Sequence, residues 1–338
     1  MALVFCLTVA LMSCAKRDGS STSSLVTVKR TQMHMGTLVS ITAVSWTQEE
    51  ANEAITAGFQ EIKRLEQLLS TWIATSELSR VNAAAGQSAV KVSLETMALV
   101  RKSLQVAEMT EGAFNIAIGP AVDAWNISDE PRLPTPEELD ALKPLVDLQS
   151  VQTDVWDRTI HLQKPGMRID VGGIGKGYAA DQAVVLMKKA GAVAGVVSLS
   201  GDIKTFGRLP DGGAFRVGIR HPRKEGELLT EIRLQDEAIS TAGDYERFFE
   251  KDGVRYHHIL DPHTLQPARG CQSVSVIAKE GVWADGLDTG IFVLGAERGM
   301  ELVEQLEDVE AIIVDQAGQV LVSSGLRDRV RFPSPVAQ

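Results

Sequence analysis

Three oxygen-bearing side chains lie close together in residues 283–290, which read Trp-Ala-Asp-Gly-Leu-Asp-Thr-Gly. Asp285 and Thr289 are four residues apart, and Asp288 lies three residues after Asp285. On a helix these spacings place all three side chains on one face. A few hard oxygen ligands suit Mg²⁺, which keeps several waters and shares substrate phosphates. The alternative is an acidic first turn stabilised by the helix dipole.

A second cluster is the glycine-rich stretch of residues 170–178, Asp-Val-Gly-Gly-Ile-Gly-Lys-Gly-Tyr, which we place between a strand and a helix. Glycines let backbone N–H groups approach a phosphate, the helix N-terminus adds positive potential, and Lys176 supplies a point charge. The spacing differs from a Walker loop and from a dinucleotide-binding fingerprint. The stretch is therefore either a ligand loop or a tight structural turn.

Two further glycine turns, Ser200-Gly201-Asp202 and residues 240–245, each follow a predicted strand. Taken separately, each is better explained as a tight turn. Three glycine turns at strand ends are typical of a ligand site at a sheet edge.

Half of the six histidines, His257, His258 and His263, fall in residues 256–264. Adjacent residues of a strand point to opposite faces, so one of the first two faces any given site. That histidine is a candidate general base or phosphate contact. A zinc site is disfavoured because no Cys or Glu stands at a useful spacing.

The N-terminal elements that must position these residues show helical periodicity. An apolar stripe predicts a helix of about twenty residues; it consists of Ile55, Phe59, Ile62, Leu65, Leu69 and Trp72. A second helix is predicted over residues 93–110, with Ser93 as its N-cap. Its inward positions are Leu94, Met97, Leu104 and Ala107. Thr135 and Glu138 form a predicted capping box for a short helix.

Strands and helices are mixed through the rest of the chain. Helices are predicted at residues 178–190, 282–294 and 297–306. Strands are predicted at residues 38–44, 193–199, 215–219, 228–234, 273–278, 310–314 and 319–323. Ala317-Gly318 is a hairpin signal between the last two. Runs of strands interrupted by helices predict an α+β fold with mixed, largely antiparallel sheets and packed helices.

Composition excludes two broad classes. The 338 residues are 44% hydrophobic, which excludes a disordered chain and suffices for one large domain or two intimate ones. The formal net charge is −10 and the pI is about 5.2. An acidic protein is a poor nucleic-acid binder, because a phosphate backbone needs a basic face.

The N-terminus resembles an export signal. Residues 2–12 are nearly all apolar, as in a signal-peptide h-region, and too short to span a membrane. Residues 11–14, Leu-Met-Ser-Cys, resemble a bacterial lipobox, although no Lys or Arg precedes the apolar run. We therefore expect a signal peptide at residues 1–13 and a lipidated Cys14 with a Ser/Thr-rich tether to residue 30. The alternative is a buried strand or helix. After cleavage Cys271 is the remaining unmodified thiol and has no intrachain disulfide partner.

The four clusters, in this order, resemble the ApbE-type FAD:protein FMN transferases. The resemblance covers roughly residues 31–326. It includes Met35-Gly36-Thr37, Ser70-Thr71-Trp72, Ser76-Glu77-Leu78 with Asn82, Gly112-Ala113-Phe114-Asn115, Gly119-Pro120 and Trp125.

This resemblance implies an exported, Mg²⁺-dependent enzyme that cleaves FAD, transfers FMN to a threonine or serine hydroxyl of an acceptor protein and releases AMP. It implies a single two-lobed, T-fold-like domain over residues 31–332. The acceptors would be membrane redox subunits, such as those of sodium-pumping quinone reductases (Nqr) or Rnf-type complexes. The protein would be a lipoprotein of the bacterial cell envelope, anchored at Cys14 and facing the periplasm.

The resemblance also implies roles for individual residues. The metal ligands would be Asp285, Asp288, Thr289 and the backbone carbonyl of Gly173. The catalytic residues would be Lys176, on the pyrophosphate, and His258, as general base or orienter of the hydroxyl, whereas His257 would be inessential. The FAD pocket would be lined by Met35, Thr71, Trp72, Ala113, Phe114, Asn115, Lys176 and Ile259.

Four positions depart from the family pattern. Asn115 stands where many members have Asp, Ala242 where Ser is common, and Leu265 and Ser200 where Gly is usual. Two other functions use the same residues: an FAD pyrophosphatase in which water attacks the same phosphorus, and an FAD-binding lipoprotein without turnover.

Overall fold

A computed structural model describes residues 24–332 of the chain. Fifteen strands lie in this part. They are β1 (Val26–His34), β2 (Thr37–Ser45), β3 (Val90–Lys91), β4 (Val151–Asp154), β5 (Thr159–Leu162), β6 (Ala194–Leu199), β7 (Asp202–Phe206), β8 (Phe215–Arg220), β9 (Leu228–Leu234), β10 (Ala238–Gly243), β11 (Phe248–Lys251), β12 (Val254–His257), β13 (Cys271–Ala278), β14 (Val309–Asp315) and β15 (Val320–Val322).

Eight α-helices lie in the same described part of the chain. They are α1 (Gln48–Leu69), α2 (Glu77–Ala83), α3 (Leu94–Met109), α4 (Gly119–Trp125), α5 (Pro136–Leu142), α6 (Gly175–Lys189), α7 (Gly281–Leu294) and α8 (Ala296–Val303).

The central element is an eight-stranded sheet in the order β1-β2-β6-β7-β10-β13-β14-β15. Its neighbouring strands are antiparallel throughout. Three smaller antiparallel sheets, β3-β5-β4, β8-β9 and β11-β12, complete the strands. The predicted α+β class with largely antiparallel pairing is therefore confirmed.

Strand β13 shows why the core is divided between two faces of the sheet. All eight of its residues are buried. Val274, Val276 and Ala278 belong to the larger core cluster with helices α1, α3, α6 and α7, whereas Ile277 belongs to a second cluster with the β8-β9 hairpin. A strand covered on both faces is apolar along its length, unlike a strand with one solvated face.

Helix α1 carries the predicted stripe but ends earlier than the stripe does. Its first turn has a capping box formed by Thr47 and Glu50. The helix ends at Leu69 because Ser70 is extended, with φ −69° and ψ 125°. Trp72 therefore lies in the following turn, 77% exposed, and its prediction as a member of the buried stripe is wrong.

Helix α3 has the predicted N-cap, because the Ser93 hydroxyl accepts the Thr96 N–H. Met97 and Ala107 are buried, as predicted, but Leu94 is 66% exposed. The buried side of the helix contains Thr96, and Leu94, two residues earlier, lies about 200° around the axis from it. The capping box of Thr135 and Glu138 on α5 is confirmed.

Helices α6 and α7 pack unusually closely at the point where the chemistry-bearing residues lie. A Cβ on Gly177 would come within 2.1 Å of the Gly281 carbonyl oxygen, so no side chain fits there. The carboxylate of Asp181 on α6 accepts the N–H groups of Gly281 and Val282 at 2.7 and 2.9 Å. It therefore caps the N-terminus of α7 from the neighbouring helix and sets the position of Asp285.

Most of the other predicted elements are confirmed to within a few residues at their ends. Two regions differ. Residues 163–174, before α6, contain no strand, so the glycine-rich stretch follows irregular chain rather than a strand. Strand β1 begins at Val26, inside the range predicted as a tether. All nine of its residues are paired with residues of β2.

The predicted signal peptide, the lipobox and Cys14 lie outside the described residues. Among the helices that are described, none combines the length and the apolar character needed to cross a membrane.

Candidate functional site

Three buried carboxylates converge at one end of the central sheet. Asp202 opens β7, and Asp285 and Asp288 lie on α7. Each has a carboxylate oxygen within 4.8 Å of the others, and each is 4% exposed or less. Carboxylate oxygens at such separations are suited to a shared divalent cation. The structure thus brings two of the predicted metal ligands together with a carboxylate that was not predicted.

The Lys176 ammonium group lies against the same cluster. Its Nζ is 2.7 Å from Asp202 Oδ2 and 3.5 Å from Asp285 Oδ1. Burial opposes its charge, but the carboxylates outweigh that effect and raise its pKa, so the lysine stays charged. Three ionised carboxylates against one ammonium leave two negative charges, which one divalent cation would neutralise.

The pKa values of two of these carboxyl groups, Asp285 and Asp288, are raised. Burial and the nearby Asp202 raise the pKa of Asp285 to about 7, although Lys176 and the Gly177 N–H act in the opposite direction. The pKa of Asp288 is raised well above its ordinary value by burial and by the two other carboxylates. Without a cation, therefore, part of the negative charge is removed by protons.

Thr289 and Gly173 meet beside the carboxylates, as the resemblance implies. A Cβ on Gly173 would lie 3.0 Å from the Thr289 Oγ1 and 3.4 Å from the Phe114 ring. The Thr289 hydroxyl donates to Asp288 Oδ1 at 3.0 Å. The absence of a side chain at Gly173 thus lets the glycine-rich turn approach α7 and the aromatic ring.

The two adjacent histidines have different surroundings. His257 is 2% exposed, its Nε2 donates to the Ala268 carbonyl at 2.9 Å, and its Nδ1 accepts the Ile259 N–H at 3.3 Å. Burial lowers its pKa to about 4. Both ring nitrogens are occupied, so His257 stabilises its loop.

His258 is half-buried, and its Nδ1 donates to the Arg247 carbonyl at 3.3 Å. This bond leaves Nε2 as the nitrogen with a lone pair. Burial first, and then the charges of Arg247 and other neighbours including Lys176, lower the pKa of His258 to about 3. The imidazole is therefore neutral near pH 7, the form that a general base requires.

Three of the residues predicted to line the FAD pocket come from the first elements of the chain. Met35 lies in the β1-β2 turn with φ +49°, and its N–H donates to Glu66 in the last turn of α1 at 2.7 Å. Thr71 and Trp72 follow α1, and the Thr71 carbonyl accepts the Ser79 hydroxyl. The exposed Trp72 ring offers a flat surface for stacking.

The other predicted lining residues are more enclosed. Ala113, Phe114 and Ile259 are 5% exposed or less. Asn115 caps a short 3₁₀ helix, since its Oδ1 accepts the Ala117 N–H at 2.8 Å. A carboxylate could accept the same bond, so the departure from Asp preserves this cap and removes a charge.

Both positions at which this chain replaces a family glycine have left-handed backbone. Ser200 has φ +58° and Leu265 has φ +57°. Such a conformation costs a non-glycine residue about 1–2 kcal/mol. At Leu265 the cost is offset by complete burial and by the bond from Trp125 Nε1 to its carbonyl, at 2.7 Å. Ala242, the fourth departure, is buried in β10.

Sequence reasoning gave no role to Asp202 and Ser240, which it placed only in glycine turns. The Ser240 hydroxyl contacts carboxylate oxygens of both Asp202 and Asp288, the latter at 2.6 Å. For Asp202 the available signal was a polar residue beside a glycine after a buried strand, whereas Ser240, between Ile239 and Thr241, has no glycine beside it. That signal could not show which face of the sheet the side chain occupies.

We expect Mg²⁺ to raise the melting temperature, and to raise it more at about pH 8 than at about pH 6. Between its ordinary pKa of 3.8 and about 7, Asp285 holds a proton in the cation-free folded protein that the unfolded chain has lost. Rising pH therefore destabilises the cation-free protein over that interval, and a bound divalent cation removes the penalty. Melting temperatures would be compared with Mg²⁺ and with a chelator at each pH.

Asp140→Asn, at an exposed carboxylate that pairs with Lys143, is the matched control and should keep the wild-type pH dependence. An Mg²⁺-induced increase of equal size at both pH values would contradict the assignment of the cation to this cluster.

Residues 35–313 match the ApbE family. The chain is 35% identical over 319 residues to the FAD:protein FMN transferase of Treponema pallidum, covering 89% of this chain and 88% of that protein. It is 34% identical over 277 residues to an FAD:protein FMN transferase of Klebsiella pneumoniae, covering 81% and 85% of the two chains.

Two solved structures are similar over almost their whole length. The ApbE protein of Thermotoga maritima has a TM-score of 0.84 and 30% identity, covering 90% of this chain and 100% of that one. The flavin transferase ApbE of Vibrio cholerae has a TM-score of 0.81 and 29% identity, covering 90% and 99%.

Proposed function

The chain belongs to the ApbE family, and from this premise we propose that it is an FAD:protein FMN transferase. In the proposed reaction, FMN is transferred from FAD to a threonine or serine hydroxyl of an acceptor protein, with Mg²⁺, and AMP is released. The observation that carries the proposal is the buried cluster of Asp202, Asp285 and Asp288 against Lys176, beside the Gly173 turn. Such a site binds a divalent cation and a phosphate group together.

The donor set fits Mg²⁺. The candidate ligand groups of Asp285, Asp288 and Thr289 are oxygens, and the carboxylates nearby carry two more negative charges than Lys176 neutralises. Bound Mg²⁺ would neutralise charge on the phosphoryl oxygens, where phosphoryl transfer gains most of its rate. The Gly173 carbonyl is proposed as a further ligand, since its turn lies against Thr289.

The proposed step exchanges one phosphorus–oxygen bond for another. The acceptor hydroxyl oxygen forms a bond to the phosphorus of the FMN half of FAD, and the bond from that phosphorus to the oxygen bridging to AMP breaks. The hydroxyl proton goes to a base, and AMP leaves with the bridging oxygen. The products are a phosphoester-linked FMN and AMP.

His258 and Lys176 have complementary roles in this step. The neutral His258 presents Nε2 as an acceptor for the hydroxyl proton, with its ring held by the Arg247 carbonyl. Lys176, which stays charged, would bind the pyrophosphate oxygens and stabilise the developing charge. General base and electrostatic stabiliser are thus separate groups.

FAD would be bound between the early elements and the α7 region. Phe114 lies against Gly173 and Gly290, so its ring is next to the proposed phosphate site. Met35, Thr71, Trp72, Ala113, Asn115 and Ile259 are proposed as the other contacts. An exposed ring such as Trp72 and a few fixed polar groups suit a flat heterocycle.

The location and partners are part of the same proposal. We place the protein in the bacterial cell envelope, facing the periplasm and anchored through a lipid on Cys14 at the end of a signal peptide covering residues 1–13. Residues 31–332 would form one two-lobed catalytic domain. The acceptors would be membrane redox subunits of the Nqr or Rnf type carrying a threonine or serine flavinylation motif.

The test is incubation of the purified protein with FAD, Mg²⁺ and a candidate acceptor, with AMP measured by chromatography and the acceptor by mass spectrometry. We expect AMP and a covalent FMN adduct on threonine or serine in equal amounts. AMP without an adduct across several acceptors would indicate an FAD pyrophosphatase. Bound FAD with neither product would indicate a binding protein.

A further inference from the structure

Two buried residues, Asp202 and Ser240, have no individual role in the reaction described above, although they contact its cation-binding carboxylates and its lysine. Asp202 opens β7 and Ser240 lies in β10, the next strand of the sheet. Ile203 is paired with Ile239, so Asp202 and Ser240 come next to each other one position along. Asp202 is 4% exposed and Ser240 1% exposed. The register therefore places both on the sheet face that α7 covers.

Asp202 makes the shortest ionic contact of Lys176. Its Oδ2 is 2.7 Å from Nζ, compared with 3.5 Å for Asp285 Oδ1. A lysine side chain has four rotatable bonds, so its ammonium group keeps one position only where a partner holds it. Asp202 therefore orients Lys176 before a pyrophosphate arrives.

Ser240 lies between the carboxylate of Asp202, on β7, and the carboxylate of Asp288, on α7. Its hydroxyl contacts an oxygen of Asp202 and, at 2.6 Å, Asp288 Oδ2. The other oxygen of Asp288 accepts the Thr289 hydroxyl. Both oxygens of Asp288 are thus hydrogen-bonded, which determines the orientation of the carboxylate toward a cation.

We propose that Asp202 and Ser240 are positioning residues of this site, Asp202 for Lys176 and Ser240 for Asp288. The inference rests on the proposed function, since it concerns the same cation and pyrophosphate. It adds that the cation-binding carboxylate and the phosphate-binding lysine are linked through one hydrogen-bonded chain, Lys176-Asp202-Ser240-Asp288. Residues that orient metal ligands in this way typically change metal affinity or activity about 10- to 100-fold when they are replaced.

The first arm of the test measures Mg²⁺ binding by calorimetry without FAD. Ser240→Ala should weaken Mg²⁺ binding by about 10-fold or more, and Ser240→Thr, which keeps the hydroxyl, should restore most of it. Thr241→Ala is the matched control. It removes a hydroxyl from the same strand that bonds to Ser275 on the opposite face, so Mg²⁺ affinity should stay at the wild-type value.

The second arm measures AMP release with Asp202→Asn. The asparagine keeps the size of the side chain but removes the charge that holds Lys176. We expect kcat to fall by about 10- to 100-fold. The KM for FAD should stay the same or fall, because the lysine no longer has a competing carboxylate. A purely structural role would instead lower the melting temperature without this separation of kcat from KM.

Wild-type Mg²⁺ affinity in Ser240→Ala together with wild-type kcat in Asp202→Asn would overturn the inference. Equal weakening by Thr241→Ala would also overturn it, by showing a general effect on the strand. A wild-type protein that binds Mg²⁺ without releasing AMP would reject the proposed function, and the Mg²⁺ titrations of the Ser240 variants would still decide the inference.

Discussion

Asp285→Asn should lower kcat/KM for AMP release by at least about 10³-fold and leave the protein folded. The amide is neutral, so the site loses one of the charges that attract a divalent cation. Its side-chain oxygen can still accept the Gly177 N–H, which Asp285 Oδ2 accepts at 2.8 Å. Asn is preferable to Ala because Ala would leave that buried N–H without a partner.

Activity of Asp285→Asn would be measured at saturating Mg²⁺, together with its circular dichroism spectrum and melting temperature. Near pH 8 without a cation, its melting temperature should equal or exceed that of the wild type, because one member of a repelling carboxylate cluster has become neutral. Asp140→Asn again provides the exposed control. Full activity at saturating Mg²⁺ would remove Asp285 from the proposed site.

His258→Ala should lower kcat for FMN transfer by about 10²- to 10⁴-fold, the usual contribution of a general base. FAD binding should be retained, because the imidazole is proposed to act on the acceptor hydroxyl. Since burial and nearby positive charge lower the pKa of His258 to about 3, the wild-type rate should show no inflection near the ordinary histidine pKa of 6.5 from this group. The measurements are adduct formation by mass spectrometry and an FAD titration by fluorescence.

The matched control for this variant is His263→Ala, since His263 is exposed and has no role in the proposed step. His257 is unsuitable as a control because it is buried and bonded through both ring nitrogens, so its removal should lower stability. Unchanged transfer by His258→Ala would assign that histidine a structural role.

The site lies where the end of the central sheet meets the N-terminal turns of two helices. Asp181 caps α7 from α6, and the Gly177–Gly281 contact removes the space that side chains would need. Because of these contacts the Gly177 N–H reaches Asp285. The glycine-rich stretch therefore positions a helix, which agrees with its interpretation as a structural turn, and its role as a phosphate-binding loop remains a proposal.

The adjacent histidines His257 and His258 show what strand geometry can and cannot predict from the sequence. Alternation predicted different environments for His257 and His258, which are buried and half-buried, although β12 ends at His257 and His258 follows it. It could not say which face is the interior, because that depends on the packing of β12 against Phe292 of α7, whose ring is 5.5 Å from that of His257. The family resemblance, rather than periodicity, selected His258.

Local features of the sequence by themselves predicted six of the eight described helices, but not α2 or α4. They also predicted the capping box of Thr135 and Glu138 and the shared face of Asp285, Asp288 and Thr289. These features depend on hydrogen bonds and periodicity within a few residues of the chain. Tertiary structure alone decided that Asp202 and Ser240 join that face. Their bond spans 38 residues and the Gly177–Asp285 bond spans 108. Such contacts depend on strand register and helix packing, which local periodicity does not specify.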